Sequence, residues 1–161
     1  GATEQIPEEE RQNLKKSYIL SRIGVILAGR AAERVAFDDI SSGAADDLKK
    51  ATHLARMMVC QWGMSEELGP TTYSQGEPHP FLGREIAEQK DFSEHTARMI
   101  DEEIRRITVS MENKAEEMLK ANREKLDKVA QELLEHETLT KEEIDALIQN
   151  TGETAPEERQ R

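Results

Sequence analysis

The stretch from Ser41 to Met64, SSGAADDLKKATHLARMMVCQWGM, limits the possible folds more than any other part of the chain. Its apolar residues Leu48, Ala51, Ala55, Met58, Val59 and Trp62 recur at three- and four-residue steps, the period of a helix that buries one stripe. Small and hydroxyl residues precede it, and Gly63 is placed to end it in a left-handed conformation. Asp46 and Asp47 fall in the first turn, where the positive end of the helix dipole favours a carboxylate. By type, each can be a cap, a salt-bridge partner or a metal ligand, and helix physics alone favours the cap.

The same period recurs elsewhere. Pro7 followed by Glu8, Glu9 and Glu10 predicts a helix start, and Leu14, Tyr18, Ile19, Ile23, Ile26 and Leu27 form one inward face. Gly29 interrupts that helix at about 1 kcal/mol relative to alanine, which predicts a close backbone approach or a bend. Residues 37–40 form a short link. Residues 68–83, LGPTTYSQGEPHPFLG, read as irregular, with Thr71 to Ser74 extended and His79 an exposed loop residue between two prolines.

Ser93 is an N-cap, with Phe92 and Ala97 as a hydrophobic staple, and it opens a long amphipathic helix striped by Ala97, Ile100, Ile104, Ile107, Met111, Ala115 and Met118. Asp101, Glu102, Glu103, Arg105 and Arg106 read as its solvated face. After a break near Asn122, Leu126, Val129, Ala130, Leu133 and Leu134 mark another helix. Thr140 and Glu143 form a capping box for a last one, buried through Ile144, Leu147 and Ile148.

Aromatics make up only 4% of the 161 residues, and aliphatic side chains carry the periodic positions. The expected fold is therefore mainly α: a multi-helix core with a long amphipathic helix and a C-terminal helical hairpin, and little or no sheet. Residues 1–150 read as one all-helical domain, and residues 151–161, without an apolar anchor, as a disordered tail. A net charge of −11 argues against nucleic acid as a partner. No apolar run reaches the roughly 20 residues of a membrane segment, so the chain itself reads as soluble. Cys60, the one cysteine, forms no intrachain disulfide; it suits a reducing compartment and reads as a small buried hydrophobe. The opening GATEQIPEEER reads as a cut within a longer protein.

Histidines 53, 79, 95 and 136 are scattered, none paired at the i, i+4 spacing that puts two imidazoles on one metal. The sequence contains no H-E-x-x-H, no phosphate-binding glycine loop, no G-x-S-x-G and no paired cysteines. Read from its residues alone, it is a helical domain without a complete catalytic site.

Four blocks in order give it a resemblance: GRAAERVAFDDISSGAADDLKKATHLARMMVCQWGMSEELGP, then FLGREI, SEHTARMIDEEIRRI and LLEHETLTKEEID. Together they resemble the peptidase domain of the FtsH family of membrane-anchored, ATP-dependent zinc proteases, from about Glu8 to Ile148. In that family zinc is held by the two histidines of an H-E-x-x-H helix and by an aspartate from a later helix, while the motif's glutamate activates water. The resemblance implies that Asp47 is this third ligand. Asp46 stands where the family usually has asparagine. The H-E-x-x-H helix would precede the GRAAE block, so the fragment is expected to bind zinc weakly or not at all and to hydrolyse no peptide. Two further departures are Ala28-Gly29 in place of a glycine pair and Arg34 in place of a second acid, where a surface or subunit contact can differ.

The resemblance also implies a parent zinc endopeptidase driven by ATP, hexameric, acting on membrane and cytoplasmic proteins, and anchored in the bacterial inner membrane with this domain on the cytoplasmic side. The alternative for the fragment is a helical oligomerisation module supplying ring contacts.

Overall fold

The computed structural model describes residues 14–73 and 91–149. The expected helix start at Pro7, Ser74, His79 and residues 150–161 lie outside them. Within the described residues the chain forms α1 (Lys16–Phe37), a single 3-10 turn (Ser42–Ala44), α2 (Ala45–Cys60), α3 (Glu94–Ala121), α4 (Arg123–His136) and α5 (Lys141–Gln149), with no strand.

Helices α1, α2 and α3 enclose the core. From α1 come Ile19, Ile23, Leu27 and Ala31, one line at four-residue spacing. From α3 come Ile100, Ile104, Ile107 and Met111, and α1 packs along this face more extensively than along α2. Helix α2 lies against both, placing Ala51, Ala55, Met58 and Val59 fully inside. The two small alanines, one turn apart, let α2 lie close to its neighbours, while Met58 and Val59 fill the centre. Polar contacts run along one edge of the α1–α3 seam. Arg30 pairs with Glu112, and Arg34 reaches Glu112 at 3.8 Å and Glu116 at 3.4 Å. Arg34, one of the departures from the family pattern, is thus tied within the chain.

Helix ends follow the sequence closely. Ser93 Oγ accepts from the Thr96 N–H at 3.2 Å, capping α3. At the end of α2 the Met64 N–H donates to Met58 O at 2.9 Å and Gly63 sits at φ +56°, where a Cβ would meet the Pro70 Cα at 3.1 Å. Glycine is required there by both conformation and space. Tyr73 then ties the following segment back over the helix: its N–H donates to Cys60 O at 2.8 Å, its hydroxyl to Leu68 O, and its ring meets Phe92 edge to face. Cys60 is buried, and burial pushes its thiol pKa up.

Several expectations need correction. Leu14 and Tyr18, expected on the inward face of the first helix, and Met118, expected on the stripe of α3, are exposed, since each lies toward a helix end beyond the three-helix core. Leu48 is 41% exposed, because it turns to the outer face of α2 with Lys49, Thr52, His53 and Arg56, around a surface groove of about 410 Å3. Gly29 meets nothing within 4 Å, so no close backbone approach uses it; Gly24 is the glycine of α1 that faces α3, opposite the Met111 carbonyl. Glu103 is buried, 4% exposed, although the charged residues grouped with it, Asp101, Glu102, Arg105 and Arg106, are exposed. It sits three residues after Ile100 and four before Ile107, on the inward stripe, and its charge is met there. Ser65 Oγ donates to it at 3.0 Å, and Arg106 donates through Nε at 2.6 Å and Nη2 at 2.8 Å. Finally, α5 has its capping box, with the Thr140 N–H donating to Glu143 at 2.7 Å, but Ile144, Leu147 and Ile148 are not buried; α4 has no buried residue either.

Candidate metal centre

The site is built from the junction between α1 and α2. Helix α1 ends at Asp38, in the left-handed region at φ 54°, with its N–H donating to Arg34 O. The chain then turns through Asp39 and Ile40 to Ser41. There the Glu33 carboxylate, on the penultimate turn of α1, accepts from both the Ser41 N–H at 2.8 Å and the Ser41 hydroxyl at 2.9 Å. These bonds hold the Glu33 pKa below the ordinary carboxylate value, the backbone donor contributing most. Ser41 Oγ in turn accepts from the Gly43 N–H at 3.2 Å and so caps the 3-10 turn.

Helix α2 starts directly from that turn. Its N-cap is Ala44, with no side-chain cap, so neither aspartate of the first turn serves as one. Asp46 points outward, 81% exposed, beside Lys49 at 3.4 Å. Asp47 is half-buried at 48%, with Lys50 Nζ 3.4 Å away. Both are ion pairs at i, i+3 on the surface of the first turn, worth a few tenths of a kcal/mol at most. Of the cap, the salt bridge and the ligand, the structure thus removes the cap and makes the weak salt bridge.

As a donor set, this junction offers one carboxylate oxygen ligand. A catalytic zinc takes three protein ligands and a water, and among the described residues Asp47 belongs to no group of three or more converging ligand atoms. The residues present therefore fit one corner of a zinc site and do not hold the ion by themselves. His53 and His95 are exposed and separate. Ligating atoms do converge at Glu132, Glu135 and His136, within 4.8 Å of one another, but on the last turn of α4 and largely exposed, as acidic helix ends commonly are.

The sequence reading missed two polar devices. The Glu33–Ser41 brace joins residues eight apart across a helix end, and only the pairing of an acid with a hydroxyl-rich link hinted at it. The Ser65–Glu103–Arg106 group joins distant segments, and the position of Glu103 on the apolar stripe was its one signal.

Compared with known proteins, the chain belongs with the peptidases. More particularly, the chain belongs to peptidase family M41, whose family model matches residues 1–147. It is 52% identical over 157 residues to the ATP-dependent zinc metalloprotease FtsH of Nitrosococcus oceani, covering 98% of this chain and 25% of the relative. With the protein of the same name from Pelobacter propionicus it shares 49% over 158 residues, covering 97% and 25%. A further relative of that name, from Kosmotoga olearia, is 42% identical over 148 residues, covering 92% and 23%. The chain thus spans about a quarter of the length of these relatives.

Proposed function

We propose that this chain forms part of the peptidase domain of an ATP-dependent zinc endopeptidase that degrades membrane and cytoplasmic proteins, with Asp47 as one zinc ligand. The observation that carries the reading is the position of Asp47. In a chain 52% identical to a named zinc metalloprotease, the aspartate of the SSGAADDL block lies half-exposed on the first turn of a helix whose other end is locked in the core. Asp47 would hold one corner of a zinc ion whose chemistry there would be to polarise a scissile carbonyl and to lower the pKa of a water to about 7. The part played by this chain is to hold one short oxygen ligand in place. Asp46, more exposed and turned away, is left to solvent. The two histidine ligands and the glutamate base belong to an H-E-x-x-H helix that this sequence does not contain, so the 161-residue chain alone binds zinc weakly or not at all and cleaves no peptide.

The whole protein, on this reading, is a hexamer anchored in the bacterial inner membrane with this domain on the cytoplasmic side, and ATP is used by another domain. No helix among the described residues is long and apolar enough to cross a membrane. The test is zinc affinity in the full-length protein. Asp47→Asn should weaken it by at least about tenfold and abolish peptide hydrolysis, whereas Asp46→Asn should leave both near wild type. Unchanged affinity in the Asp47 variant would sink the assignment. Near-stoichiometric, tight zinc binding by the 161-residue chain would sink the expectation that it lacks the other ligands.

A second reading, a helical interaction module, has its own observation: α4 and α5 are amphipathic yet bury nothing, and Leu134 is 85% exposed. Sedimentation of the isolated chain tests it, and a strict monomer at high concentration would count against it.

A further inference from the structure

Helix α2 begins without a side-chain cap, so the direction of its first turn depends on the link that leads into it. That link has a polar anchor at Ser41. Both donors of Ser41 go to the two oxygens of Glu33, and the Ser41 hydroxyl oxygen is then committed to the Gly43 N–H. Gly43 fits tightly there, since a Cβ would approach Ser41 Oγ to 3.2 Å. The next amide, Ala45 N–H, donates to Ser42 O and carries the chain into α2. Upstream, Glu33 lies one turn from Arg30, whose guanidinium pairs with Glu112 and adds its field to that of the Ser41 donors. Hydrogen bonds therefore run from Glu33 on α1 through Ser41 and the 3-10 turn to Ala45, directly before Asp46 and Asp47, while Arg30, paired with Glu112 of α3, acts on Glu33 through its charge alone.

We propose that Glu33 is a positioning residue for Asp47: its carboxylate fixes Ser41 and the 3-10 turn, and so presents the Asp47 oxygen at a set register to a zinc-type divalent cation. The proposal rests on the reading of Asp47 as a ligand. An aspartate has a short stem and two side-chain torsions, so where its oxygen lies is decided mainly by where its backbone lies. A first turn that frays or re-aims by an ångström removes the ligand from the ion even when the helix survives. Shells of hydrogen bonds behind metal ligands commonly contribute ten- to a hundredfold in affinity. Here the support comes through backbone, since the Asp47 side chain pairs with Lys50 on its own helix.

Two measurements test this together. In the 161-residue chain, Glu33→Ala should raise amide exchange at Ser41 and Gly43 while leaving the core amides of α3 and the thermal midpoint close to wild type. In the full-length protein, the same substitution should weaken zinc affinity, read by chelator competition, by about tenfold and shift the visible absorption of the cobalt-substituted protein. Glu33→Gln, which keeps an oxygen acceptor, should recover part of both effects. Faster exchange with unchanged zinc affinity and cobalt spectrum would reduce Glu33 to a local brace and overturn the proposal; unchanged exchange would overturn it as well. Asp47→Asn, measured beside them, keeps the two ideas apart: if it leaves affinity intact, the ligand assignment itself fails, whatever Glu33 does. Should Glu33→Ala prevent folding of the full-length protein, Ser41→Ala at the exposed link carries the same test, with weaker zinc binding supporting the proposal and wild-type binding overturning it.

Discussion

The three helices α1 to α3 and the hairpin of α4 and α5 carry apolar stripes of the same kind, yet the first set buries Ile19, Ile23, Met58, Val59 and Ile100 almost completely and the second buries nothing. The difference lies in the neighbours. Each of α1, α2 and α3 has two partners to cover its stripe, whereas α4 packs on α5 and makes few contacts with α3. One long-range hydrogen bond, from Arg123 Nη1 to Val35 O at 2.8 Å, ties the start of the hairpin to α1. Helices of 14 and 9 residues are marginal by themselves. An amphipathic pattern thus states which face is to be covered and leaves open what covers it.

The comparison can be broken most directly at the core. Met58→Ala should destabilise the chain by about 3 kcal/mol through a cavity that close-packed neighbours cannot fill, seen as a lower denaturant midpoint; a loss below about 1 kcal/mol would mean that the centre is loosely packed. Next comes the buried polar group. Glu103→Ala leaves the Ser65 hydroxyl without its acceptor and should lose about 2 kcal/mol, while Arg106→Ala, at a side chain 66% exposed, should lose less.

The same carboxylate predicts a pH dependence. Hydrogen bonding from Arg106 holds the Glu103 pKa below its ordinary value, against burial, with Ser65 adding to the effect. Its folded-state pKa is therefore lower than its unfolded one, so its contribution is complete above the ordinary carboxylate value and is lost as pH falls through the folded value. Stability measured by urea melts should drop on acidification below that range, and Glu103→Gln should flatten the drop.

Smaller effects belong to the hairpin. A chain ending at Asn122 should keep a cooperative transition within about 1 kcal/mol of wild type, the scale of the single Arg123 bond, while losing helical circular-dichroism signal. A collapse of the transition would show that α4 and α5 support the core. Smallest of all, Leu134→Ala should change the stability of the isolated chain by less than about 0.5 kcal/mol. A larger loss would reveal a covered face and favour self-association.

Much of the fold was legible because helix periodicity is local. The stripe from Ile100 to Met111, the Ser93 cap, the stop at Gly63, the break at Asn122 and the Thr140–Glu143 box all depend on residues within a few positions of one another. Leu48 and Glu103 show where such reasoning stops. Each sits near the edge of a stripe, and the packing of two other helices decided that the leucine faces water and the glutamate faces Ser65. The candidate site divides in the same way. The aspartates of SSGAADDL were visible in the sequence, together with their place on a first turn, while their unequal exposure was not.

By itself, then, the sequence determined a mainly helical chain, several of its helix ends, such as the Ser93 cap and the Gly63 stop, and a family with a named metal chemistry, because periodicity, caps and motif order are properties of neighbouring residues. Only the tertiary structure decided which stripes find partners, that Glu103 is buried with its charge met, that neither Asp46 nor Asp47 is a cap, and that Glu33 holds the link into α2. Those outcomes depend on segments distant in sequence meeting at hydrogen-bond range, and no local pattern encodes such a meeting.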